Sequence, residues 1–195
     1  MKATALPETA IRRWTREEYD RLIDLGVFRP GERLELLDGW LVVREPQGTR
    51  HSTAIRRVLA VLRRTLGDVW QIDSQLPIAL DDLSEPEPDV SVVPGNPDSY
   101  RHEHPSRPLL IVEVAESSYR IDHEYKASLY ARAAVPEYWI VDLVRETVEV
   151  HREPEASAAA RYGWRYGRVD TLRPPAHVAP LLAPDRPLGV AELLP

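Results

Sequence analysis

Two acids stand where apolar strand residues are expected. Asp89 follows Pro88 at the head of the run Val90-Ser91-Val92-Val93, and Glu113 interrupts the otherwise apolar Leu109 to Val114. An isolated carboxylate inside a core strand is either costly to bury or forced to take up a proton, so each acid calls for a partner. Two carboxylates side by side on neighbouring strands repel and raise each other's pKa. A divalent cation removes that conflict. Mg²⁺ and Mn²⁺ take oxygen ligands, and Mg²⁺ is commonly held by one or two carboxylates with waters and substrate phosphate. Two acids are therefore chemically sufficient for a phosphodiester-cleaving metal site. Plainer readings stay open for every residue. Asp89 after a proline suits a turn, and Glu113 suits a structural ion pair. Glu35 suits the exposed side of a hairpin strand. Asp122 and Lys126, four apart, suit a surface pair on a helix.

Rival chemistries have less to stand on. His102 and His104 lie two apart between prolines, and His123 precedes Lys126, but no further histidine completes a zinc spacing. There is no Gly-x-Ser-x-Gly elbow and no phosphate-binding glycine loop. With no cysteine, thiolate metal sites and disulfides are excluded, and the composition suits a reducing cytoplasm. A formal net charge of −6 argues against a protein that coats nucleic acid non-specifically, though not against an enzyme whose acids are neutralised by cations. No stretch is long and apolar enough for a membrane helix, and Met1 to Arg13 lacks the apolar segment of a secretory signal.

The elements that would position these residues follow from periodicity and turn chemistry. Thr15-Arg16-Glu17-Glu18 forms a capping box, opening a short helix to about Leu25 with Tyr19, Leu22 and Ile23 facing inward. Arg33 to Leu37 and Trp40 to Val43 read as a hairpin turning at Asp38-Gly39. Arg50 to Leu66 is an amphipathic helix. Ile55, Val58, Leu59, Leu62 and Leu66 line one face, while Arg56, Arg57, Arg63 and Arg64 line the other. Strands are expected over Trp70 to Leu80, Pro88 to Val93, Leu109 to Val114, Tyr138 to Val141, Thr147 to His151 and Tyr162 to Val169. A helix is expected from Asp122 to Ala134, and a short one over Val190 to Leu193. The order predicts an α/β or α+β sheet with helices packed on it. Its 195 residues suit one domain, spanning 1–195 with a core at about 15–152 and a proline-rich C-terminal extension.

Taken in order, these segments resemble a known family. Pro88-Asp89-Val90, Ile111-Val112-Glu113-Val114, Asp122, Lys126 and Tyr130, and Val135-Pro136-Glu137-Tyr138-Trp139-Ile140-Val141-Asp142 are similar to the restriction endonuclease family of the Uma-two type. That family is placed in the PD-(D/E)XK nuclease superfamily. Leu34-Glu35-Leu36-Leu37-Asp38-Gly39 and His51-Ser52 match its N-terminal part. The resemblance implies a restriction-endonuclease-like core, a central mixed sheet flanked by helices. It implies Asp89 and Glu113 as ligands of Mg²⁺ or Mn²⁺, Glu35 as an additional acid, and Lys126 as the lysine. The superfamily lysine usually lies two residues after the second acid, where this chain has Ala115, so Lys126 would reach the site from the next helix. Asp122 would hold Lys126, and Gln75 would stand beside Asp89. The reaction implied is metal-assisted hydrolysis of nucleic acid, DNA before RNA. Lys126 would orient water or stabilise the transition state.

Two departures accompany the match: Ala115-Glu116-Ser117-Ser118 replaces a Leu-Ser-Pro-Ser type turn, and Ala134 replaces a glycine. The arginines of the Arg50–Leu66 helix would touch phosphates, although a solvated face accounts for them as well. The tryptophan-rich, apolar second half suggests a homo-oligomer, most simply a dimer. Two other functions are compatible with the residues. One is a catalytically inactive nuclease-fold interaction protein, with the strand near Trp139 as its interface. The other is a glycosidase using the paired acids.

Overall fold

The computed structural model describes residues 11–44 and 47–195; residues 1–10, read above for a signal segment, lie outside the described residues. Helix α1 (Arg16–Asp24) opens on the expected capping box. Glu18 N–H donates to the Thr15 hydroxyl, and Thr15 N–H donates to the Glu18 carboxylate. Only Tyr19 of this helix is buried; Ile23, expected inside, is 48% exposed. The hairpin β1 (Leu34–Leu37) and β2 (Trp40–Val43) turns at Asp38-Gly39, both at positive φ, as a tight two-residue turn requires. Helix α2 (Thr49–Leu66) lays its apolar face on the main core.

The central sheet has the order β3-β4-β5-β6-β7-β8. Its strands are β3 (Gln71–Asp73), β4 (Val90–Val93), β5 (Leu110–Ala115), β6 (Glu137–Asp142), β7 (Thr147–Ala156) and β8 (Trp164–Leu172). Only β5 and β6 are parallel, and a helical crossover joins them, as parallel neighbours demand. That crossover is a π-helical turn, Ile121–Lys126, running into α3 (Ala127–Arg132). It covers the face of β5 and β6 that carries Ile111, Ala115, Tyr138 and Ile140.

The expected strand over Trp70 to Leu80 shortens to β3. The chain beyond it remains bonded, but largely to proline carbonyls: Gln75 N–H donates to Pro88 O, Ile78 N–H to Pro86 O and Ala79 N–H to Pro105 O. Proline has no N–H to return, so no ladder forms. The C-terminal stretch, expected to be an extension, instead belongs to the sheet and core. β7 runs on to Ala156 and β8 to Leu172, past the expected ends, although β8 starts at Trp164 and not at Tyr162. The small hairpin β9 (His177–Val178) with β10 (Leu188–Gly189), followed by α4 (Val190–Leu193), buries Val178, Leu188, Val190 and Leu193 in the core under α2. Trp139, expected near an interface, is wholly buried, so its strand offers no surface for a partner.

Candidate active site

Strand register brings the two acids together. Val90 lies opposite Val112 across the antiparallel β4–β5 pair, which sets Asp89 opposite Glu113. Residues directly opposite share a face. The backbone locks them: Asp89 N–H donates to Glu113 Oε2 at 3.3 Å, and Val114 N–H donates to Asp89 Oδ2 at 2.9 Å. Both acids are 2% exposed, and Asp89 sits at the bend that enters β4.

The crossover supplies the cation. Lys126 Nζ lies 2.9 Å from Glu113 Oε1 and 3.0 Å from Glu35 Oε1, bridging β5 and the hairpin. One turn on, the Tyr130 hydroxyl donates to the same Glu113 oxygen at 2.8 Å. The wider π-helical turn carries both Asp122 and Lys126 inward, where they are 3% and 4% exposed; they are not a surface pair. π-Helical turns concentrate at functional sites. Asp122 accepts from the Ser118 hydroxyl at 2.6 Å, and its backbone carbonyl accepts from Tyr138. Glu35 is likewise buried, and its second oxygen accepts Glu87 N–H.

Arg44, past the end of β2, escaped the sequence reading. It reaches Asp89 Oδ1 at 3.2 Å and Glu87 at 3.1 Å. Nothing local marks it, because it acts through a contact 45 residues away. Gln75 donates to the same Asp89 oxygen at 3.2 Å, from a left-handed turn beyond β3. His51, in the first turn of α2, places Nε2 at 3.3 Å from Asp89 Oδ2. That nitrogen is buried without a hydrogen-bond partner.

The electrostatics divide the cluster. Burial pushes the Asp89 carboxyl upward, but His51, the Val114 N–H and Arg44 outweigh it and hold it below the ordinary carboxylate value. Burial raises Glu113, and Asp89 and Glu35 add to that against the pull of Lys126 and Arg44. Asp122 is raised well above its ordinary value by burial and by Glu113. Burial disfavours the Lys126 ammonium, yet Glu113, Glu35 and Asp122 overcome it and raise its pKa.

Asp89, Glu113, Glu35, Asp122, Lys126 and His51 all line one pocket of about 120 Å³, which has room for several waters. Among the described residues no three His, Asp or Glu side chains are arranged to hold a metal ion. A cation would therefore rest on the two carboxylates Asp89 and Glu113, with waters or phosphate completing its shell. That donor set fits Mg²⁺ or Mn²⁺, with the His51 ring beside Asp89. His123 and His151 approach Glu149 elsewhere on the sheet, outside this pocket.

The α2 arginines stand apart from the pocket. Arg57 donates to Leu194 O and Arg64 pairs with Glu192, tying α2 to the C-terminal segment, while Arg56 and Arg63 are exposed. None of the four lines the pocket.

The sequence model of the Uma2 family, described as "Putative restriction endonuclease", matches residues 16–181. A crystal structure of a "putative nuclease belonging to DUF820 from Anabaena variabilis" superposes with a TM-score of 0.63 at 18% identity, covering 87% of this chain and 94% of that one. It shares the fold. No curated protein matches the chain. No described helix is long and apolar enough to cross a membrane.

Proposed function

Because the chain belongs to the Uma2 (Putative restriction endonuclease) family, we propose that it is a metal-dependent endonuclease hydrolysing nucleic-acid phosphodiesters, with DNA as substrate. The observation that carries this reading is the pairing of two buried acids, one at the entry to β4 and one in β5, at an open pocket, with a buried lysine between Glu113 and Glu35. Asp89 and Glu113 are the metal-holding acids. A divalent cation there would supply an activated water and stabilise charge on the leaving oxygen.

The chain's own groups do the positioning. Lys126, held between Glu113 and Glu35, presents its ammonium to a pocket whose carboxylates would otherwise repel a phosphate. Glu113 and Glu35 hold the lysine's charge in place, and Tyr130 fixes the Glu113 oxygen that faces it. Arg44 and Gln75 steady Asp89 from the side opposite its backbone bond to Val114. His51 Nε2 stands 3.3 Å from Asp89 Oδ2 on the wall of the same pocket.

A catalytically inactive interaction protein would keep these charges as a closed structural network. The pocket that both acids border favours a ligand. Family membership directs the paired acids toward phosphodiesters and away from glycosides. The test is cleavage of plasmid, single-stranded circular DNA and structured RNA in Mg²⁺ and in Mn²⁺. Wild type is expected to nick DNA and Lys126→Met to lose about a hundredfold in rate, the usual cost of removing one transition-state charge partner. Equal residual cleavage by wild type and Lys126→Met would mark a contaminant and sink the reading.

A further inference from the structure

Beside the acid pocket lies a second, larger groove of about 580 Å³, and the two share Val42 and Ile121 in their walls. They are continuous because the same two elements build both. On the hairpin, Glu35 lies opposite Val42 and Leu37 opposite Trp40, so all four residues share one face. Glu35 and Val42 wall the acid pocket; two residues along the strand, Trp40 walls the groove about 7 Å away. On the crossover, Asp122 and Lys126 turn into the pocket, while their chain neighbours Ile121 and Tyr125 turn into the groove.

The groove has the chemistry of a stacking platform. Trp40 is 41% exposed, an uncommon position for a large indole ring on a hairpin. The Arg161 guanidinium stacks 4.5 Å over the Tyr125 ring, and no carboxylate ion pair to it is found among the described residues. Arg120, 76% exposed, stands on the rim. An exposed indole face beside arginines suits unpaired nucleotides, whose bases stack while their phosphates meet cations. A base held in a duplex offers its face only to its neighbours in the stack.

We propose that this groove binds an unpaired stretch of nucleic-acid strand next to the phosphate held at the acids, with a base on the exposed Trp40 ring and phosphates on Arg161, which caps Tyr125, and on Arg120. The assignment rests on the nuclease reading and deepens it: the preferred substrate is a phosphodiester flanked by single-stranded or unpaired nucleotides.

The experiment is fluorescence anisotropy of a labelled oligothymidylate and a labelled duplex of equal length, in EDTA and again in Ca²⁺. Full-length wild type is compared with Trp40→Ala, Trp40→Phe and Arg161→Ala, with circular dichroism to confirm folding. Trp40→Ala and Arg161→Ala are each expected to bind the single strand about tenfold more weakly, the usual scale of one lost stacking or cation–π contact. Trp40→Phe retains the stacking face and most of the affinity, and duplex binding changes little in all three. Unchanged single-strand affinity in Trp40→Ala and Arg161→Ala, or an equal loss on duplex, overturns the proposal. Parallel Mn²⁺ titrations separate the two claims. Trp40→Ala that binds Mn²⁺ like wild type while losing the oligonucleotide supports the groove. Wild type that binds Mn²⁺ but no single strand defeats the groove alone, and wild type that binds no Mn²⁺ even with a non-cleavable oligonucleotide present strikes the nuclease reading itself.

Discussion

Glu113 and Glu137 sit on adjacent parallel strands of one sheet, both withdrawn from water, yet they are built for different ends. Glu137 is consumed by its surroundings. It accepts from Arg152 Nε at 2.9 Å, Trp139 Nε1 at 3.0 Å and Leu181 N–H at 2.7 Å, and so pins the C-terminal segment to the sheet. Glu113 has comparable partners in Lys126, Tyr130 and the Asp89 N–H, but it also borders open volume and faces a second acid. Burial of a carboxylate therefore does not mark a site. What marks it is convergence with another acid on space that a ligand can enter.

Breaking each network should show the difference. Glu137→Ala leaves the mostly buried Arg152 without its carboxylate and two N–H groups unpaired. Chemical denaturation is expected to show a loss of about 3–5 kcal/mol, with cleavage per folded molecule retained. Glu113→Gln reverses the pattern: a rate loss of about a hundredfold in the plasmid assay, with a denaturation midpoint near wild type, because Lys126 keeps Glu35. If Glu113→Gln unfolds the protein as Glu137→Ala does, the distinction between the two acids collapses.

A third buried acid sharpens the comparison. Glu85 has an oxygen without a hydrogen-bond partner, and its nearest cation, Arg16, is 3.9 Å away. Burial, aided by Asp20, pushes its carboxyl up from 4.5 to about 7. The folded state thus holds this proton more tightly than the unfolded chain does. The Glu85 contribution to stability is full below about pH 4.5 and is lost as pH rises through about 7. Melting temperatures across that window should fall less steeply in Glu85→Gln than in wild type; parallel curves would count against the assignment.

The smallest effect concerns backbone strain. Ala134, which ends the α3 turn where a glycine was expected from the resemblance, has φ of +56°. Ala134→Gly should stabilise by about 1 kcal/mol in denaturation, since a Cβ is disfavoured in the left-handed region. No gain would place the strain elsewhere.

Much of the frame was legible because its signals are local. The capping box at Thr15 and Glu18, the Asp38-Gly39 turn, the apolar stripe of α2 and the buried runs of β5 and β6 all form as read. The site was legible only in part. Asp89 and Glu113 stood out as charges inside strands, whereas Glu35 and Lys126 became candidates through the resemblance. The roles of Arg44 and His51 depend on how the hairpin and the start of α2 meet β4, which no spacing encodes. The inward turn of Asp122 and Lys126 needed a π-helical turn, and an ordinary helical reading left them on the surface. The α2 arginines show the opposite failure: Arg57 and Arg64 form a basic stripe in sequence but serve the C-terminal segment in space.

The most direct test of the central claim is a calorimetric Mn²⁺ titration of wild type, Asp89→Asn, Glu113→Gln and Glu137→Gln, each alone and with a non-cleavable oligonucleotide. Saturable binding by wild type and Glu137→Gln, lost in Asp89→Asn and Glu113→Gln, is the expected result. Binding that persists in Asp89→Asn and Glu113→Gln, or that is absent from wild type even with the oligonucleotide, would contradict a metal site at these two acids.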